Sequence, residues 1–167
     1  LDRGLADLEA LELIRERRRS PELEYMFKHA LTQETTYQGM LLARRRALHA
    51  RVGACIEALF ADRLEEFFGL LAYHYARGEE WAKAQEYLFK AGDQARNLAA
   101  DAEALAHYSQ AVAAYERVFG DKWDPFQRAV LERKIGEALI RRGENEQGRQ
   151  YLSQALQRLG APLPTSQ

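Results

Sequence analysis

The chain has 167 residues, 47% of them hydrophobic and 29% charged, with a formal net charge of -1. This balance excludes a chain that is disordered by composition and fits one compact domain or a short array of repeats. Four prolines and eleven glycines, set among runs rich in Ala, Leu, Glu, Arg and Gln, exclude an all-β sandwich and favour helix.

Leu5, Leu8 and Leu11 recur at spacings of three and predict a short helix over residues 5–12. Leu13-Ile14 then leads through the charged stretch Arg15–Arg19 to Ser20-Pro21, where proline breaks any helix. Beyond it Leu23, Tyr25 and Phe27 alternate with Glu24, Met26 and Lys28, the period-two, aromatic-rich pattern of a strand. Together these segments predict a β-hairpin. Thr32 is placed to cap a helix starting at Gln33, which Gly39 weakens.

A longer helix is expected from about Ala43 to Phe60, with Leu48, Val52, Cys55, Ile56 and Leu59 on its apolar face and Arg44, Arg45 and Arg51 toward the other. From residue 64 the pattern is one of helical hairpins, with helices over 64–77, 81–99, 101–119, 126–142 and 144–159. The tail from Ala161 to Gln167 reads as a linker or frayed end.

One offset pattern of small and large apolar residues occurs three times. Its members are Leu71, Ala72, Tyr75, Ala84, Leu88 and Ala91; then Ala91, Gly92, Ala95, Ala104, Tyr108 and Ala111; then Ile135, Gly136, Leu139, Gly148, Leu152 and Ala155. A small residue lets one helix cross close to another while a large one fills the groove beside it. The pattern resembles a tetratricopeptide (TPR) hairpin, with Trp81 after the Gly78 turn and Gly143 near the last turn adding to the match. The copies are spaced irregularly, so residues 81–99 serve two matches and Gly120–Phe126 lengthens one connection. The expected fold is mainly α: a TPR-like solenoid of helical hairpins with a short N-terminal β-hairpin. An ordinary helical bundle is the alternative.

The strings Glu24-Tyr25-Met26-Phe27-Lys28-His29-Ala30-Leu31 and Arg44-Arg45-Arg46-Ala47-Leu48-His49 resemble segments that follow the ATPase module in bacterial signalling proteins of the STAND class. These include class III adenylate or guanylate cyclase fusions and LuxR-type regulators, in which a winged helix and then a TPR-like array follow the ATPase core. The resemblance implies a partial winged helix over 1–31, linking helices over 32–63, TPR-like repeats over 64–160 and a tail over 161–167. It also implies that the nucleotide-binding and output domains lie elsewhere, and the start at Leu1 reads as a cut inside a longer protein. In STAND relatives a histidine at the end of the winged-helix hairpin reaches the β-phosphate of the nucleotide. By that likeness His29 would contact ADP in the intact parent, with Lys28 and Ala30 where the relatives carry Met and Asp. The alternative for His29 is a residue that caps or packs at a strand end.

No G-x-x-x-x-G-K-[ST] phosphate loop occurs, so no catalytic residue and no cofactor are expected in these residues. Cys55 reads as a small core residue on its helix face rather than a nucleophile, and a single cysteine fits a reducing, cytoplasmic setting. His29, His49, His74 and His107 are dispersed without an i, i+4 pair, so no metal site is expected. No apolar run approaches the roughly 20 residues of a membrane span, and residues 1–20 lack the apolar core of a signal peptide. Residues 13–51 hold nine Lys or Arg against four acids, yet the net charge of the whole chain argues against a nucleic-acid partner.

What remains is a protein or peptide partner, or domains of the parent chain, gripped by the first helix of each hairpin. The inward positions are Tyr73 and Arg77, then Asp93, Arg96 and Asn97, then Glu137 and Arg141. Alternatives are a fragment of a DNA-binding regulator, a free-standing TPR adaptor and a small enzyme.

Overall fold

A computed structural model describes residues 2–19, 23–120 and 122–161. Ser20, Pro21, Glu22 and residues 162–167, on which the proline break and the tail were read, lie outside the described residues. The fold is mainly α with a two-stranded antiparallel sheet near the N-terminus. The chain divides into two compact units, Leu1–Arg45 and Arg46–Gln167.

The first unit holds helix α1 (Asp2–Ala10), strands β1 (Ile14–Arg18) and β2 (Glu24–Phe27), and helix α2 (Ala30–Gly39). Glu12 takes a left-handed turn (φ 57°), and the Leu13 N–H donates to the carbonyl of Leu8 at 3.0 Å, closing α1 and releasing the chain into β1. The strands pair Ile14 with Phe27 and Glu16 with Tyr25, and the register shifts between Glu16 and Arg18. Among the described residues of this hairpin, Ile14 is the buried one. The helix predicted from Gln33 begins earlier, at Ala30, with His29 in the N-cap position and extended (φ −128°, ψ 126°). Thr32 therefore lies inside the first turn, its N–H donating to the carbonyl of His29, and does not cap the helix. The chain leaves β2 already extended, so the helix starts at the first residue that can turn.

The second unit contains most of α3 (Leu42–Leu59), then α4 (Phe68–Arg77), α5 (Trp81–Asn97), α6 (Asp101–Phe119), α7 (Pro125–Arg141) and α8 (Asn145–Arg158). The helix predicted over 64–77 is split: Leu64–Phe67 form a 3-10 turn before α4. Phe67 leaves the α path (φ −116°, ψ 5°), and its ring stacks on Phe60 at 4.4 Å with the Arg63 guanidinium over both rings.

The three sequence matches coincide with three turns of one geometry. Glu80, Ala100 and Glu144 donate their N–H to the carbonyls of Tyr75, Ala95 and Leu139 at 3.0, 2.9 and 2.9 Å. Those acceptors occupy the same position of each match. The left-handed residue of each turn is Glu79, Ala99 or Gly143 (φ 58°, 57° and 85°). Ala84, Ala104 and Gly148, again one position, then open the next helix by donating to Glu80, Ala100 and Glu144.

Each crossing pairs a small residue with a large one. A Cβ built on Gly92 would stand 2.5 Å from the Tyr108 ring, and one on Gly53 would stand 2.8 Å from the Tyr75 ring. Gly136 and Gly148 bring α7 and α8 equally close, with Leu152 filling the space beside Gly136. Ala72, Ala84 and Ala104 are almost fully buried at their places in the pattern.

The apolar face assigned to α3 is corrected. Its buried residues are His49, Gly53 and Ile56, whereas Leu48, Val52, Cys55 and Leu59 are exposed, Leu59 by 73%. The Tyr75 ring seats on the glycine, so α3 turns Gly53 rather than its large apolar residues toward α4.

Gly92→Ala is expected to cost about 2 to 3 kcal/mol, because the Tyr108 ring is fully buried and has no room to withdraw. Ala99→Gly should add about 0.5 to 1 kcal/mol by relieving the left-handed alanine. Urea unfolding midpoints, compared at equal slope, check both signs.

Candidate interaction surface

The seven expected contact residues fall into two places in the second unit. Tyr73 and Arg77 lie on the exposed side of α4, the guanidinium 5.3 Å from the centre of the Tyr73 ring. The edge of that ring meets two imidazoles, His49 of α3 at 5.8 Å and His74 at 5.3 Å between centroids. Sequence reading took His49 and His74 as dispersed. They stand 25 positions apart in sequence and 3.0 Å apart in space, Nδ1 to Nδ1. Burial first, and then the charge of Arg77, hold His49 below the usual imidazole range; burial and the neighbouring His49 do the same to His74.

The second place joins α5, α6 and α7. Asp93 accepts a hydrogen bond from the Tyr108 hydroxyl at 2.7 Å and pairs with Lys134 of α7, which is 7% exposed. The Lys134 ammonium also lies over the rings of Phe89 and Tyr108, 4.7 and 5.8 Å from their centres. Burial, the Asp93 hydrogen bond and the Asp93 charge push the Tyr108 phenol far above its usual range, against the opposing charges of Arg96 and Arg141. Asp93 is thus tied to α6 and α7, with its side chain 33% exposed. Arg96 sits half-buried beside the exposed Asn97, Arg141 binds Asp101 at the start of α6 at 2.6 Å, and Glu137 pairs with Arg133 on its own helix.

A third network fastens α3 to α5. The Tyr87 hydroxyl donates to Glu57 at 2.6 Å, and Lys83 pairs with Glu57 and donates to the Tyr75 hydroxyl at 3.2 Å. Burial alone would raise the Glu57 carboxyl, but hydrogen bonds from Lys83, Tyr75 and Tyr87 hold it below the usual carboxylate range. At the far end of the unit, Glu132 is 6% exposed and is held by Arg128 at 3.2 Å and Arg158 at 2.8 Å.

The lengthened α6–α7 connection shapes a cavity of about 330 Å³ lined by Phe89, Tyr115, Trp123, Phe126 and Leu131. Trp123 stacks on Tyr115 at 4.0 Å, and Asp124 caps α7 by accepting from the Phe126 N–H at 3.1 Å. Sequence reading saw this connection only as an irregularity; a tryptophan followed by Asp-Pro was the signal that it is a built turn. A second hollow, about 500 Å³, lies between the 3-10 turn and α5, with Glu65, Glu66, Asp93 and Asn97 among its walls.

In the first unit, His29 is exposed at the junction of β2 and α2, and its side chain makes no capping hydrogen bond. Arg17 and Arg18 bind Glu24 at 2.9 and 3.2 Å, and Arg19 binds Glu16 at 2.8 Å. Among the described residues no three His, Cys, Asp or Glu side chains come together as metal ligands, and no helix is long and apolar enough to cross a membrane. No protein-family model, curated protein or solved structure matches the chain.

Removing one partner of the Asp93–Lys134 pair strands a buried charge. Asp93→Ala should cost about 2 to 3 kcal/mol, and adding Lys134→Met to it should recover most of the loss. A double-mutant cycle in urea measures the coupling.

Proposed function

We propose that this chain is a non-catalytic regulatory module that binds a protein or peptide partner, within a larger nucleotide-switched signalling protein of the STAND type. The observation that carries the reading is that three helix pairs share both a turn and a restart: the Tyr75, Ala95 and Leu139 carbonyls accept the same turn bond, and Ala84, Ala104 and Gly148 then open the second helix by donating to Glu80, Ala100 and Glu144. A sequence repeat that is also a hydrogen-bond repeat supports a TPR-like array, in which each hairpin buries its apolar stripe against the next. Such an array presents the inward positions of its first helices to a partner.

Tyr73, Arg77, Asn97 and Arg141 keep exposed side chains on these helices, while Arg96 and Glu137 are half-buried. Asp93 contributes by fixing α5 against α6 and α7 rather than by direct contact. The partner is a separate protein or the ATPase and output domains of the parent, and the setting is cytoplasmic. A DNA partner is less well supported, because Glu16 and Glu24 already neutralise part of the Arg15–Arg19 run. His29 is assigned to the nucleotide of the intact parent by its place after the hairpin, and no cofactor is assigned to these residues themselves.

The double substitution Arg77→Glu and Arg96→Glu is expected to abolish partner capture while leaving the fold, read by circular dichroism, unchanged; full capture by the variant would remove the surface from consideration. In the intact parent, His29→Ala should speed ADP release measured with a fluorescent nucleotide, and an unchanged rate would leave His29 a structural residue. The parentage itself is tested by reading the coding frame upstream of Leu1 for a phosphate loop.

A further inference from the structure

The α3–α4 crossing is closed by two imidazoles rather than by apolar side chains. His49 is buried, His74 is half-buried, and their Nδ1 atoms are 3.0 Å apart. At that distance one Nδ1 carries a hydrogen and the other offers a lone pair. The contact holds when both rings are neutral. It also holds with one added proton, placed on Nε2 of the donor ring. A second added proton removes the remaining lone pair and sets N–H against N–H between two cations.

Arg77 adds its own positive charge to that repulsion. From α4, Arg77 acts on His49 as a fixed positive charge and leans over Tyr73, whose ring edge meets both imidazoles. From α3, Arg46 is bound at 2.8 Å to Glu79, in the turn after α4. Glu57, two turns further along α3, is taken by Lys83 and Tyr87 of α5.

We propose that His49 and His74 form an acid-released latch: the pair fastens the middle of α3 to α4 while it shares a lone pair, and double protonation springs it. The neighbouring contacts make release a discrete step. A Cβ on Gly78 would stand 3.0 Å from the Ala50 backbone and the Tyr75 ring sits on Gly53, so the two segments touch closely at both points, and the Arg46–Glu79 ion pair must yield when they part. Ile56 and the Glu57 network keep the C-terminal end of α3 in place, which confines the opening to residues 46–53. The latch is independent of the partner proposed above, and its test uses no partner.

The sign follows from linkage. Both rings take up protons less readily when docked than when free, so the docked arrangement is favoured fully above the ordinary imidazole value of about 6.5 and loses ground as pH falls below it. Hydrogen exchange on the whole chain, corrected for intrinsic rates, should show opening of the 46–53 amides rising about tenfold or more between about pH 7.5 and about pH 5, relative to α7. His74→Asn keeps an uncharged polar group facing His49 and should reduce that rise to about twofold or less, because the second proton has lost its site. An α3 opening that does not change with pH in the native chain overturns the latch, as does an undiminished rise in His74→Asn. Should His74→Asn fail to fold, nitrogen-detected titration of the native rings decides. Two coupled steps, with α3 amide signals moving on the second, support the latch, and two independent titrations near the ordinary value overturn it.

Discussion

Close helix crossing at a residue without a side chain is the constraint on which the second unit depends. Where Gly92 lies under Tyr108, the ring replaces the missing side chain and becomes fully buried. A buried phenol needs a hydrogen-bond partner, and Asp93, the residue next to the glycine, supplies it. The carboxylate so placed then attracts Lys134 from α7, whose ammonium also rests on the aromatic faces of Phe89 and Tyr108. One steric decision between α5 and α6 therefore fixes where α7 docks.

The same logic governs the crossing of α3 on α4, with a different polar consequence. The Tyr75 ring fills the space over Gly53, and its hydroxyl points into the Glu57, Lys83 and Tyr87 network. One turn toward the N-terminus the contact falls to His49 and His74. The two crossings thus differ in kind: Asp93 and Lys134 form a pair of opposite charge, whereas the two imidazoles form a pair whose sign changes with proton count.

The helical hairpins were legible because their determinants are local or periodic. The turn residues Glu79, Ala99 and Gly143, and the small positions Ala72, Gly92 and Gly136, lie at fixed offsets within each hairpin. From α5 onward helix boundaries followed to within a residue or two, whereas α1 and α2 begin three residues before their expected starts and stacking of Phe60 on Phe67 broke one helix into a 3-10 turn and α4. The orientation of α3 was not legible. Leu48, Val52, Cys55 and Leu59 have the spacing of a core stripe, and only the need of the Tyr75 ring for a glycine turns that stripe outward. For the candidate site, sequence named positions on α4, α5 and α7 but could not show that Asp93 is engaged by Tyr108 and Lys134, a pairing across three helices that no local pattern announces. The histidine pair was invisible for a simpler reason: no periodicity relates positions 49 and 74, and only the packing of two helices brings them together.

The choice of residues at the α3–α4 contact bears on what the fold can do. An apolar pair there would stabilise the crossing at every pH, and cores accept such replacements readily when volume is kept. An Asp–Lys pair, as between α5 and α7, would join opposite charges. Two histidines under the field of Arg77 give up that constancy, since their contact requires at least one unprotonated Nδ1. The neighbours magnify the effect. Gly53 and Gly78 contribute no side chains there, so the backbones approach closely and the contact is sensitive to any separation. Because Tyr73 and Arg77 are themselves in contact with the imidazoles or with each other, the exposed face of α4 is built on that same contact, and its geometry is tied to the protonation of two residues that lie beneath it.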